Sequence, residues 1–209
     1  MNVTAFSMIG TTYTTNENYD IVIIDYINKD NVLIQFKMFP DYQVWATMQN
    51  IRNGQIKNPY HRSVYNRGYY GVGPYSARKN NVKTPQYIKW FSMFDRCYNP
   101  KVHKRVPEYA ACEVSEEFCS FQNFARWYDR KIYQSPYPLE LDKDLLFKDN
   151  TIYSPHTCCF LPQEINCNLN YTRNNVEYMK YLYHKYKPIL PAYISKKLLA
   201  LSRGVEILI

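Results

Sequence analysis

Between Arg52 and Arg105 the chain carries twelve basic side chains and a single acid, Asp95. A segment charged this one-sidedly repels itself, so it needs an acidic neighbour or an anionic partner to be neutralised. The rest of the chain supplies only part of that acid. Residues 1–51 carry a net −3, residues 106–172 a net −5 and residues 173–209 a net +5, and the whole chain is left at +8. Tyr60, Tyr65, Tyr69, Tyr70, Tyr75 and Tyr87 are interleaved with the cations. This mixture suits a nucleic-acid surface, where positive groups neutralise phosphates while rings and hydroxyls meet sugars, bases and backbone. On that reading Lys57, His61, Arg62, Arg67, Arg78, Lys79 and Lys83 are candidate DNA-binding residues, and double-stranded DNA is the expected partner. The plainer alternative is a solvated basic loop in a tyrosine-rich protein.

A length of 209 residues, 46% of them hydrophobic and 17% aromatic, allows one medium domain or two small ones with a real core. It excludes global disorder and a disulfide-packed miniprotein. The longest apolar runs, such as Ile21 to Ile24, fall far short of the roughly 20 residues needed to cross a bilayer. The first residues have neither a basic start nor an apolar core, so no membrane span and no secretory signal are expected, and the cytoplasm is the expected location. Six cysteines without a C-x-x-C pair read as reduced, buried thiols, and a zinc site from Cys97, Cys112 and Cys158 is not expected.

Local patterns predict an α+β fold. Asp20 to Ile27 and Val32 to Phe36 flank a turn-forming Asn28-Lys29-Asp30-Asn31 cluster, and Tyr42 to Thr47 supplies a third strand, giving a β-rich module over 1–54. Residues 55–83, with three glycines and two prolines, predict an extended basic connector. Thr84 and Pro85 then open a helix with an apolar face of Tyr87, Trp90, Phe91, Phe94 and Tyr98. Ser115 caps a second helix carrying Phe118, Phe121, Ala125, Tyr128 and Ile132. Strands follow around Leu139 to Phe147 and from Thr151 to Phe160, and Pro162 opens a short helix through Ile165 and Leu169. These complete a core over 84–170. Asn174 and Pro191 open the two helices of a tail over 171–209, the last closed by Gly204. Trp45, Trp90 and Trp127 are expected in the core.

The segment "LELDKDLLFKDNTIYSPHTCCFLPQEIN", residues 139–166, resembles the strand, loop, strand and short helix of phage-encoded HNH endonucleases of the homing type. "WFSMFDRCYNP", "YAACEVSEEFCSFQNFARWY" and "GQIKNPYHRSVYNRGYYGVG" resemble the same family's lead-in, so the likeness covers about residues 50–170. The resemblance implies a ββα-metal core with flanking helices, preceded by a small β module. Many relatives carry a plant-transcription-factor-like DNA-binding domain next, and here the chain passes straight to a helical tail, as in a shortened member. The implied activity is hydrolysis of DNA phosphodiesters, as an endonuclease or nickase, with Mg²⁺ or Mn²⁺ as cofactor.

Under that resemblance Asp142 matches the metal-binding Asp, while Lys143 occupies the position of the general-base His. Thr157 stands where relatives often have a metal-binding Asn, His156 lies one place earlier, and Asn166 falls near the third motif residue. Lys143, His156 and Asn166 are therefore the candidate catalytic residues, and Asp142 and Thr157 the candidate metal ligands. The departures have chemical consequences. A lysine at its ordinary pKa of about 10.4 is protonated at neutral pH and accepts no proton, and a threonine hydroxyl is a poorer ligand than an amide oxygen for a hard cation. Two readings follow: a metal-dependent nuclease, or a scaffold without turnover that binds DNA or inhibits a host protein.

Overall fold

The alternating residues of 20–36 form a hairpin, as their period of two requires. In the computed structural model, which describes residues 7–207 (170–172 by backbone alone), the chain divides into two compact units, the first ending at His61 and the second beginning at Arg62. The first unit is a four-stranded antiparallel sheet of β1 (Thr12–Thr14), β2 (Asp20–Asn28), β3 (Asn31–Phe36) and β4 (Phe39–Ala46), in that order. Ile21, Ile23, Val32, Ile34 and Phe36 point to one buried face and pack with Met48 and Ile51 of helix α1 (Met48–Arg52) and with Ile56. The third long strand begins at Phe39, earlier than expected, because Pro40 sits on the edge strand, where no ladder donor is needed. Register corrects a further expectation. Ile34 pairs with Val44, so Trp45, opposite Leu33, falls on the outer face and is 48% exposed.

The second unit starts with a segment that the sequence reads as a free connector and the fold uses as packing material. Val64 is buried, Tyr69 bridges to Ser120, and Gly68 lies so close to Trp90 and Phe94 that an added Cβ would sit 2.9 Å and 2.8 Å from their rings. Gln122 clamps the same stretch, its amide accepting from Tyr75 N–H at 3.0 Å and donating to the Tyr75 carbonyl at 2.9 Å. The local signal was absent because glycines and tyrosines find their partners only across the fold. A short hairpin follows, β5 (Arg78–Lys79) and β6 (Val82–Lys83), joined by Asn80 and Asn81 at φ 50° and 62°, a left-handed pair that asparagine tolerates and that fits a tight turn.

Helix α2 (Pro85–Tyr98) begins as predicted, with the Thr84 hydroxyl accepting from Tyr87 N–H. After α3 (Pro100–His103), a 3-10 turn (Pro107–Ala111) and β7 (Glu113–Val114), the single expected helix splits at Ser120 into α4 (Glu116–Cys119) and α5 (Phe121–Lys131). Ser120 caps α5, a role it fills only because its backbone leaves the helical region. Trp90, Phe94, Phe118, Phe121 and Phe124 make the centre of one aromatic core. Five of the six cysteines are buried thiols and Cys167 is exposed.

Strand β8 (Leu139–Asp142) pairs antiparallel with β10 (Cys159–Pro162), Asp142 opposite Cys159, and α6 (Gln163–Thr172) follows at once. The strand expected over 151–160 is thus two short pieces: β9 (Ile152–Tyr153), parallel to β7, and β10, separated by a turn from Ser154 to Thr157. Both faces of β10 are buried. Phe160 enters the aromatic core, whereas Cys159 and Leu161 enter a second, aliphatic core with Ile165, Met179, Leu182, Ile194 and Leu198 from α6, α7 (Val176–Tyr186) and α8 (Ala192–Leu201). Asn175, one residue later than expected, caps α7. Among the described residues no helix is long and apolar enough to cross a membrane.

Candidate functional site

Where β8 ends, its last residue and the turn after it open on a cleft of about 340 Å³. Asp142, Lys143 and Asp144 line it together with Asn166 of α6, Arg96 of α2, Glu108, Tyr109, Cys112 and Tyr153. An adjoining cavity of about 290 Å³ shares Glu108, Cys112, Lys143 and Asp144 and adds Lys148, Asp149 and Arg173. Three of the residues singled out in the sequence, Asp142, Lys143 and Asn166, therefore meet in one place.

Asp142 is buried, and its Oδ2 accepts the backbone N–H groups of Asp144 at 3.0 Å and Leu145 at 2.7 Å. Burial, with Asp144 adding like charge, pushes its carboxyl from the ordinary 3.8 up to about 6, although the two amides and Lys143 pull the other way. The Lys143 ammonium donates to Asp144 Oδ1 at 2.6 Å and to the Asn150 carbonyl at 2.7 Å. Burial works to lower the pKa of Lys143, but the Asp144 carboxylate outweighs it and the net shift is upward. Lys143 is thus a held cation and not a proton acceptor. Asn150 secures it further, donating from Nδ2 to the Lys143 carbonyl at 2.9 Å, and Arg173 donates to the carbonyls of Asp144 and Leu145.

His156 and Thr157 stand elsewhere. The Thr157 hydroxyl is spent inside its turn, donating to the Ile152 carbonyl at 2.6 Å and bonding Ser154 Oγ at 2.9 Å. His156 is exposed and lines a different groove with Glu117, Asn123, Arg126 and Arg130. The physical reason is the turn: with β10 beginning at Cys159, neither residue is in the strand that faces Asp142. Arg96, Tyr109 and Asn150 were not anticipated. Only Asn150 had a local signal, as a turn residue beside the positive φ of Asp149.

The donor set does not fit a divalent cation held in the HNH manner. One oxygen of Asp142 is bound by two amides, Asp144 is paired with an ammonium, and the expected Thr157 ligand is outside the cleft. Among the described residues no three His, Cys, Asp or Glu side chains gather to hold a metal ion.

Tertiary structure also sorts the seven candidate DNA-binding residues. In the first unit Lys57 pairs with Glu17 at 3.1 Å, and His61 Nδ1 hydrogen-bonds the Tyr19 hydroxyl at 3.2 Å. In the second, Arg62 pairs with Glu116 and Arg67 lies over the Tyr98 ring at 5.8 Å. Arg78, Lys79 and Lys83 occupy the exposed hairpin, and among the described residues none of the three has a carboxylate partner within ion-pair distance. No protein-family model matches this chain, and no curated protein and no solved structure is detectably similar to it.

Proposed function

We propose that the protein binds duplex DNA on a ribbon-and-helix scaffold of the HNH-like ββα class, within the cytoplasm of a phage-infected host. The observation that carries the reading is the meeting of Asp142, Lys143 and Asn166 in one cleft at the end of the antiparallel ribbon, which is where the family resemblance puts its working residues. Lys143 and Arg96 are the cleft's cations and Asn166 its amide, but Glu108, Asp142 and Asp144 line it too, so the phosphates are met mainly by Arg78, Lys79 and Lys83 of the exposed hairpin. No imidazole lines it and its lysine is protonated, so the geometry favours binding without turnover.

Strand scission with Mg²⁺ or Mn²⁺, as an endonuclease or nickase, is the second reading. It is favoured by the Asp142 carboxyl, which at about 6 lies in the range where a base works near neutral pH. Purified protein is incubated with supercoiled plasmid at about 50 mM salt in EDTA, Mg²⁺ and Mn²⁺, beside Asp142→Ala. Retarded but intact plasmid is the expected result. Metal-dependent nicking lost in the variant overturns the binding-only reading for the nickase. Neither retardation nor nicking overturns both and leaves a host protein as the partner to seek.

A further inference from the structure

The hairpin Arg78–Lys83 projects three cations in a geometry that is unfavourable for an isolated protein. Its register sets Arg78 directly opposite Lys83, and like charges facing each other across a strand pair are destabilising. The main-chain ladder continues through Ala77 and Thr84, the Thr84 N–H donating to the Ala77 carbonyl at 3.0 Å, and the Arg78 guanidinium donates to the Asn81 carbonyl at the tip. The root is held by Gln122 on Tyr75, and Lys83 lies over the Phe91 ring at 5.8 Å. It is therefore a stiff, narrow ribbon with an exposed Asn80-Asn81 tip and a Val82 that is 69% exposed.

We propose that this hairpin inserts into the major groove of duplex DNA, with Arg78, Lys79 and Lys83 on phosphates and the Asn80, Asn81 and Val82 side chains at base edges. The groove, about 12 Å wide, admits a two-stranded ribbon, and asparagine and apolar side chains are suited to adenine edges and thymine methyls. Among the described residues none of the three cations has a carboxylate partner, and the backbone polyanion supplies that counter-charge. Helix α2 carries the hairpin at its start and Arg96 of the cleft twelve residues after Thr84, a rise of about 18 Å, or roughly half a helical turn of duplex. The inference rests on the DNA-binding reading above and names the element that enters the groove.

The test compares wild type, Arg78→Ala/Lys79→Ala/Lys83→Ala and single Lys79→Glu by anisotropy on a 30-base-pair duplex across a salt series. Lys196→Glu, an exposed lysine of α8, matches the charge change elsewhere. Loss of three phosphate contacts makes the salt slope shallower by about 2.7 and weakens binding on the order of 100-fold at 0.1 M salt. Lys79→Glu weakens binding by at least 10-fold relative to Lys196→Glu. It also keeps the question answerable if the triple variant misfolds, since Lys79 has no packed partner to lose. Duplex carrying glucosylated hydroxymethylcytosine, which fills the major groove, weakens wild type and leaves the triple variant unchanged. Wild-type binding that the hairpin variants do not alter, or that the glucosylated duplex leaves intact, overturns the hairpin inference while DNA binding stands. Failure of wild type to bind any duplex overturns the underlying reading and this one with it.

Discussion

Replacing Asp142 by Asn removes a buried charge while keeping an oxygen for the amides of Asp144 and Leu145. The carboxyl is pushed from 3.8 up to about 6, so between those values the folded state holds a proton that the unfolded chain has released. The native state then binds more protons, stability falls as pH rises through that window, and the full cost is present above about 6. A shift of about two pKa units at about 1.36 kcal/mol each makes that cost on the order of 3 kcal/mol at pH 7, about half as much at pH 5 and about 0.5 kcal/mol at pH 4. Asp142→Asn is therefore expected to be more stable than wild type at neutral pH, by up to about 3 kcal/mol, with the gap closing on acidification. Chemical denaturation of both proteins at pH 7, 5 and 4, with unchanged m-values, measures it. A variant less stable than wild type at pH 7, or a gap independent of pH, refutes the reasoning, because Asp142 would then be a stabilising structural carboxylate and not a buried charge held at a cost.

Gly68→Ala should lower stability by about 1–3 kcal/mol in a urea melt, since the new methyl meets Trp90 and Phe94 in a core that has no room to give. Arg173→Ala removes donors from the carbonyls of Asp144 and Leu145 and leaves Glu206 to Lys197 alone, a loss of about 1–3 kcal/mol that thermal unfolding reads. Only Cys167 should react quickly with a thiol reagent in the folded protein, the other five thiols being buried. A second fast-reacting thiol would show that one of the cores opens readily.

Features governed by near neighbours were legible in the sequence. The Thr84 cap, Pro85 and the 3.6-residue recurrence of Trp90, Phe94 and Tyr98 specify α2 without help from the rest of the chain, and the turn at Asn28–Asn31 likewise specifies the β2–β3 hairpin. The clustering of cations was equally plain, because charge is counted along the chain. The side of the sheet that receives Trp45, and the point at which the strand opposite β8 begins, depend on register, and one residue's slip reverses every side chain. That is why His156 and Thr157 were expected beside Asp142 and stand apart from it.

By itself, then, the sequence determined an α+β chain with a basic central block and reduced thiols. Tertiary structure alone decided that the connector is packed, that Lys143 is held by Asp144 and Asn150, and that the hairpin's three cations lack acidic partners among the described residues. The physical reason is that charge and periodicity are properties of neighbours in the chain, whereas neutralisation and burial depend on partners that only folding brings within about 4 Å.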